Sequence, residues 1–186
     1  MTNNHTYNHT FTRVLVAAVM AVMCFAMNAQ RLDKSHKSHH RGTVEEQMAN
    51  AGINYQSQKV ESLLKLAFSF RGTPYVSGAS RPGAFDCSGF TSYVFAQFGY
   101  NLDRTSRGQV NNGRSVSRNE LKPGDLVFFN GRARGSRIGH VGIVTEANNG
   151  NGTFKFIHAA SRGVRESHSS ESYYMVRYMG ACRVIE

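Results

Sequence analysis

The segment FDCSGFTSYVFAQF, residues 85–98, combines the pattern of an amphipathic helix with a cysteine in the first turn of that helix. Its apolar positions recur at steps of three or four residues, the spacing of one helix face: Cys87, Phe90, Val94 and Phe98. Asp86 is a favoured N-cap residue, so a helix is predicted to begin near Cys87. A helix N-terminus lowers the pKa of a thiol, and a nearby imidazolium does the same. The segment therefore predicts a reactive cysteine with a lowered pKa.

A second helix is predicted upstream, beginning at Gln58. Apolar residues there return at helical spacing: Val60, Leu63, Leu64, Ala67 and Phe68. Gly72 and Pro74 end this helix, and a loop rich in Gly and Ser leads from Tyr75 to Phe85.

After residue 120 the apolar pattern shortens to that of strands. A turn is predicted at 122–125, a hairpin loop at 147–152, and strands over 126–130, 138–146, 153–160, 162–167 and, as one or two strands, 173–185. Helices come first and an antiparallel sheet follows, which predicts an α+β fold.

The predicted hairpin brings two histidines together. Directly opposed residues of an antiparallel pair have a constant sum of residue numbers, and the midpoint of His140 and His158 is Asn149, inside the loop. The two side chains are therefore expected on one face, with Cβ atoms about 5 Å apart. One imidazole can then hold the tautomer of the other, as the third residue does in Cys-His catalysis. From spacing alone, a buried or disulfide-bonded Cys87 with incidental histidines is an equal alternative.

The N-terminal 29 residues differ from this pattern. Val14–Met27 is an unbroken apolar run that follows Arg13 and precedes Ala29. It is shorter than the about 20 residues needed to span a membrane, which indicates a secretory signal peptide over residues 1–29. A buried helix is one alternative, and a lipid anchor at Cys24 is another, disfavoured because Met23 precedes that cysteine.

The remainder is predicted to be a flexible polar leader, residues 30–57, and a folded domain, residues 58–186. Three histidines of the leader lack a fixed ligand spacing, so no metal site is predicted: His36, His39 and His40. Removal of the signal peptide leaves Cys87 and Cys182, which could form a disulfide in an oxidising compartment. Cys182 is otherwise expected to be a buried free thiol.

The net charge of +10 is concentrated between residues 101 and 140. Eight basic residues lie there: Arg104, Arg107, Arg114, Arg118, Lys122, Arg132, Arg134 and Arg137. This basic stretch suits an anionic polymer, although an ordinary solvated surface is an equal alternative. Nucleic acid, a lipid surface and an anionic cell wall are the candidates, and export together with the lack of a nucleic-acid motif makes nucleic acid the least favoured of the three.

Six segments resemble, in content and order, the NlpC/P60 family of cell-wall cysteine peptidases. They are PYVSGA (74–79), FDCSGF (85–90), LDRTS (102–106), PGDLVFF (123–129), GHVGIV (139–144) and FIHA (156–159). The resemblance implies a papain-like α+β core, in which a helix carrying the nucleophile packs on an antiparallel sheet carrying the base.

The resemblance also implies roles for individual residues. Cys87 matches the nucleophile, His140 the general base and His158 the orienting residue. Tyr75 matches a tyrosine whose hydroxyl helps the Cys87 N–H to stabilise an oxyanion. Flanking the thiol are two residues expected to bind the substrate's stem peptide through its free amine: Asp86 and Ser88. No cofactor and no metal are implied.

The expected protein is therefore an exported, monomeric cysteine peptidase that cuts peptidoglycan stem peptides between γ-D-glutamate and the diamino acid. An amidase of the same fold and a non-catalytic wall-binding protein are the alternatives. Two departures from the family pattern are expected to affect substrate fit. Gly78-Ala79 stands where two glycines are common, and Asp103 stands where proline is common.

Overall fold

A computed structural model of the chain describes residues 44–131 and 137–186. The predicted signal peptide, Cys24 and the leader histidines lie outside the described residues, as do Arg132 and Arg134. In the described part, no helix is both long and apolar enough to cross a membrane. The chain divides into two units, residues 1–52 and 53–186, and the larger unit carries the sheet and all the predicted site residues.

Helix α1 spans Val44–Ser69, so the prediction of a flexible leader through residue 57 is wrong for its last fourteen residues. Residues 44–55 are exposed, and periodicity does not reveal a helix that buries no apolar face. Glu45 and Glu46 favour helix formation there because they lie in the first turn, at the positive end of the dipole. Farther along α1, Leu63 and Ala67 are fully buried, as the predicted apolar face requires.

The described residues also form a small hairpin and three further α-helices. They are β1 (Ser80–Arg81), β2 (Ala84–Phe85), α2 (Cys87–Ala96), α3 (Ser106–Gln109) and α4 (Ser172–Met175). The predicted helix start at Cys87 is confirmed. A strand was predicted from Tyr173, but α4 forms there instead, and Tyr174 at its centre is buried.

A six-stranded antiparallel sheet forms the other layer. Its strands are β3 (Arg114–Val116), β4 (Leu126–Asn130), β5 (Ile138–Asn148), β6 (Thr153–Ala160), β7 (Gly163–His168) and β8 (Tyr178–Arg183). Their order across the sheet is β3-β8-β4-β5-β6-β7. A turn of 3₁₀ helix, Arg118–Glu120, links β3 to β4. The predicted α+β architecture is confirmed.

Helix α2 packs on the sheet through a fully buried apolar core. Phe90 and Val94 of α2 share this core with Phe128 of β4 and Ile143 of β5. The same core includes Cys87 and Val141, so the start of α2 lies against β5. The packing of α2 thereby brings the cysteine to the strand that carries His140.

Candidate active site

The start of α2 is fixed by a capping carboxylate. Asp86 has extended backbone geometry, and its Oδ1 accepts a hydrogen bond of 2.6 Å from the Gly89 N–H. A Cβ added at Gly89 would lie 2.1 Å from the carbonyl oxygen of Ala79, so only glycine allows the preceding loop to approach the helix this closely. The Asp86 N-cap prediction is confirmed, and Cys87 occupies the first turn at 9% exposure.

Arg104 joins this helix start, although the sequence predicted it only as part of the basic stretch. Its guanidinium donates to both Asp86 oxygens, at 3.0 and 2.7 Å, and to Ser88 Oγ at 3.2 Å. Burial raises the pKa of Asp86, but Arg104 and the Gly89 N–H outweigh burial and hold that pKa below its ordinary value. The carboxylate is therefore ionised beside the thiol. The signal for Arg104 was its place in the LDRTS segment.

Tyr75 lies close to the same group. Its backbone forms a bridge with Phe85, two residues before Cys87, and its side chain is partly exposed. Its phenol is close enough to Arg104 to contribute to the raised pKa of that guanidinium, although the Asp86 hydrogen bond contributes most. The structure thus gathers the three residues predicted to contact substrate around the start of α2: Tyr75, Asp86 and Ser88.

The two predicted histidines are in direct contact. His140 Nε2 and His158 Nδ1 are 2.8 Å apart, and the rings are nearly perpendicular, with an interplanar angle of 88°. His158 is fully buried, whereas His140 is partly exposed. Because Nε2 of His140 is engaged by His158, Nδ1 is the ring nitrogen left to face other groups.

The histidines meet in a different register from the predicted one. They were expected to be directly opposite each other, but β5 and β6 pair Ile143 with Ile157. Continuing this register places Gly142 beside His158, and a Cβ on Gly142 would lie 3.1 Å from the His158 Cβ. His140 is thus the diagonal neighbour of His158 on the same face, a separation that long side chains can reach.

A second group of side chains encloses the far side of His158, and none of its members was predicted to belong to the site. Ser167 Oγ is 3.1 Å and the Tyr174 hydroxyl 3.3 Å from His158 Nε2. Tyr174 is buried, and its hydroxyl belongs to this polar cluster. Both ring nitrogens of His158 therefore have hydrogen-bond partners.

Burial determines the resting charge of the cysteine and histidine. It lowers the pKa of His140 to about 4, and it raises the pKa of Cys87, an effect that the charge of Asp86 increases. Hydrogen bonds from backbone N–H groups, including that of Val141 next to His140, partly offset the increase at Cys87. The prediction of a lowered thiol pKa is therefore wrong for the resting site, which holds a neutral thiol and a neutral imidazole.

The cysteines form no disulfide with each other. Cys87 and Cys182 are both free and buried. Burial raises the pKa of Cys182 to about 12, and its thiol donates to the Gln109 carbonyl oxygen at 3.4 Å. Cys182 is thus a buried free thiol, as expected.

Residues 72–183, more than half of the chain, match the model of the NlpC/P60 family. The chain belongs to the NlpC/P60 family. The Escherichia coli protein named murein DD-endopeptidase MepS/murein LD-carboxypeptidase is 40% identical over 118 residues, which cover 62% of this chain and 58% of that protein. The Bacillus subtilis bifunctional muramidase/DL-endopeptidase CwlT is 36% identical over 115 residues, covering 61% of this chain and 33% of that protein. The match thus spans less than two thirds of either relative's length.

Solved structures of this family share the fold. An NLP/P60 family protein of Staphylococcus aureus, described as similar to a lipoprotein, is 30% identical with a TM-score of 0.61, covering 69% of this chain and 42% of that one. The NlpC/p60 domain of the peptidoglycan hydrolase SagA is 27% identical with a TM-score of 0.54, covering 67% of this chain and 97% of that domain. The papain-like α+β fold expected from the resemblance is confirmed.

Proposed function

We propose that this protein is an exported cysteine peptidase that hydrolyses amide bonds in peptidoglycan stem peptides, with the bond between γ-D-glutamate and the diamino acid as the expected target. The observation that carries the proposal is the placement of Cys87. It occupies the capped start of α2, against the strand whose His140 is hydrogen bonded to His158. This placement supports Cys87 as the nucleophile, His140 as the base and His158 as the orienting residue, the three roles in Cys-His catalysis.

The reaction begins with a neutral thiol and a neutral imidazole. As Cys87 Sγ bonds to the amide carbon, its proton moves to His140 Nδ1, while the His140 Nε2–H remains hydrogen bonded to His158 Nδ1. The transfer leaves the net charge of the buried pair unchanged, so the raised pKa of the thiol is compatible with attack. The Cys87 N–H at the start of α2 and the Tyr75 hydroxyl are the donors for the developing oxyanion.

The remaining steps return both groups to their starting state. The tetrahedral intermediate breaks its C–N bond, and His140 gives its proton to the departing amine, which leaves a thioester on Cys87. Water then attacks the thioester carbon and gives a proton to His140. The C–S bond breaks, the acid departs, and the thiolate recovers the proton from His140.

The ionised carboxylate at the start of α2 supports the proposed substrate class. Arg104 balances the charge of Asp86, and Arg104 and the Gly78 N–H both donate to its Oδ2, so the carboxylate is a rigidly held acceptor that an ammonium group would share with Arg104. A stem peptide with a free amine supplies that group. CwlT is named a bifunctional muramidase/DL-endopeptidase and MepS a murein DD-endopeptidase/murein LD-carboxypeptidase, so each name includes a peptidase activity, which supports a peptide bond as the target.

Contact with an anionic wall is a further part of the proposal. Arg104 and Arg114 of the basic stretch are paired with Asp86 and Glu186, so their charges are already balanced within the protein. The other described members of the basic stretch carry the charge that it offers to a polymer: Arg107, Arg118, Lys122 and Arg137. Export through the predicted signal peptide would bring a monomer to this polymer.

Digestion of isolated sacculi with wild type and Cys87→Ala, followed by mass spectrometry of the products, tests the proposal. The wild type should release muropeptides cut within the stem, and Cys87→Ala should release none. Glycan freed from peptide would instead identify an amidase. Binding without any product from the wild type would identify a non-catalytic wall protein.

Substitution of the two histidines tests the mechanism. His140→Ala should lower the rate by at least the roughly 10²–10⁴-fold typical of acid–base groups. His158→Gln and His158→Asn keep a polar group beside His140, so each should cost much less than His158→Ala. The opposite ranking, with His140→Ala active and His158→Gln inactive, would reverse the two roles.

A further inference from the structure

The His158 end of the histidine pair is connected to an arginine through a serine hydroxyl. Arg165 donates to Ser167 Oγ from Nε at 3.1 Å and from a terminal nitrogen at 2.7 Å. Ser167 Oγ is also 3.1 Å from His158 Nε2, so one hydroxyl links the guanidinium to the imidazole. Ser167 is buried and His158 is fully buried, which keeps water away from this link.

Strand register and an ion pair hold Arg165 in place. In the pairing of β6 with β7, Arg165 lies directly opposite His158, on the same face of the sheet. Its guanidinium also donates to Glu171 at 3.1 Å, and the other oxygen of Glu171 accepts from the His168 N–H at 2.8 Å. The guanidinium is therefore anchored by its own strand and by the turn that precedes α4.

Two hydrogen-bonded imidazoles can share a proton. When His140 takes the thiol proton at Nδ1, its Nε2–H points at His158 Nδ1, and transfer along that bond would move the positive charge to His158. His140 would then keep only its Nδ1–H as a neutral imidazole, a far weaker acid toward the departing amine. Productive turnover therefore requires the charge to stay on His140.

We propose that Arg165 is a positioning residue that confines the imidazolium charge to His140 during turnover, acting on His158 through the Ser167 hydroxyl. The proposal rests on the proposed function for its catalytic consequence, but its electrostatic part does not. The groups that face His158 are His140 from β5, Arg165 and Ser167 from β7, and the Tyr174 hydroxyl from α4. Arg165 is the permanent positive charge among these groups.

The resting electrostatics agree with this geometry. Burial lowers the pKa of His158 well below its ordinary value, and the positions of His140 and Arg165 lower it further. Glu171 reduces the effect of Arg165 because it is ion-paired with the guanidinium, and both side chains are more than one third exposed. Removing Arg165 should therefore make His158 easier to protonate, and removing Glu171 should make it harder.

Three variants separate charge from structure. Arg165→Gln removes the charge and keeps a donor for Ser167, while Arg165→Lys keeps the charge. Arg71→Gln is the matched control, because it breaks an exposed arginine–carboxylate pair to Glu166, the neighbour of Arg165 in β7. We expect Arg165→Gln to lower kcat for a soluble muropeptide about tenfold with little change in KM, a smaller loss than removal of the base itself. Arg165→Lys should retain most activity, and Arg71→Gln all of it.

Nitrogen NMR of the histidine rings over a pH series supplies a readout independent of activity. In Arg165→Gln the His158 ring should protonate at higher pH than in the wild type, and in Glu171→Gln at lower pH. An unchanged His158 titration in both variants, or a shifted titration with unchanged kcat, would overturn the proposal. So would equal kcat loss in Arg165→Lys and Arg165→Gln. If the wild type lacked Cys87-dependent hydrolysis, the proposed function would fail, yet the His158 titration would still decide the electrostatic part.

Discussion

The contact between β5 and β6 at the histidine pair depends on the absence of a side chain at Gly142. A Cβ built there would lie 2.6 Å from Phe156 Cδ2, 3.1 Å from the His158 Cβ and 3.1 Å from the Ile157 carbonyl oxygen. Carbon atoms in ordinary contact are about 3.5–4.0 Å apart, so Gly142→Ala requires a displacement of about 1 Å.

Neither neighbour can absorb this displacement freely. The Phe156 ring is fully buried and packs edge-on against Tyr174, with ring centroids 4.9 Å apart. The alternative is for β6 to move away from β5, which takes His158 from His140. The 2.8 Å contact between them would then exceed the distance at which a hydrogen bond is useful. A misplacement of about 1 Å costs on the order of 10²-fold in rate, and overpacking a core costs about 1–3 kcal/mol of stability.

The assay compares kcat/KM for a soluble muropeptide and the free energy of unfolding in denaturant. We expect Gly142→Ala to lose about 100-fold in kcat/KM while remaining folded at 25 °C. Gly52→Ala, on the exposed part of α1 with nothing within 4 Å of the added Cβ, should leave activity unchanged. Activity of Gly142→Ala within twofold of the wild type would refute the reasoning, because the pair would then tolerate the displacement.

Two further outcomes are expected from the charges of the site, and a third from the basic stretch. Iodoacetamide should alkylate Cys87 slowly at pH 6–7 and faster only in alkaline solution, because its pKa is raised; rapid reaction at pH 6 would show a resting thiolate. The pKa of His140 is about 4 in the folded protein, below its value of about 6.5 in the unfolded chain. The contribution of neutral His140 to the free energy of unfolding is therefore complete above about pH 6.5, and up to about 3 kcal/mol of it is lost as the pH falls from there to 4. His140→Phe should reduce the pH dependence in this range, measured by denaturant unfolding at each pH, and the remaining dependence should come from His158, whose pKa burial also lowers. Replacing Arg132, Arg134 and Arg137 together by Gln should weaken sacculus binding at low salt and spare hydrolysis of a soluble muropeptide; equal binding would make the basic stretch ordinary surface.

The parts of the fold that could be predicted are those that bury an apolar face. Strands β4 and β6 have the predicted bounds because β4 is a short apolar run, buried from Leu126 to Phe129, and the first residues of β6 alternate. Helix α2 starts at the predicted residue because its apolar residues recur at helical spacing. The exposed first half of α1 lacks such a face. Strand β3 is three residues long and only Val116 is buried, which is too short a pattern to recognise.

Polar contacts made by distant segments were also beyond prediction. Arg104 meets Asp86 across eighteen residues, and Tyr174 reaches His158 from a helix that was predicted to be a strand. Periodicity identifies which residues are buried, but it does not say which buried polar atoms meet. Such contacts depend on the packing of whole elements, so they emerged only with the structure.

The two histidines meet on one face of the sheet as expected, but not in the strand register from which this was predicted. Near the hairpin loop, pairs such as Asn148 with Thr153 have residue numbers that add to 301, and this odd register would place His140 and His158 on opposite faces. A β-bulge leaves Thr145 unpaired, and beyond it Ile143 pairs with Ile157, whose numbers add to 300. The even register returns both histidines to one face, two residues from the predicted alignment. Thr145 Oγ1 is held by Glu166 at 2.7 Å, so the bulge is tied to β7, and the bulge rather than the loop brings the histidines together.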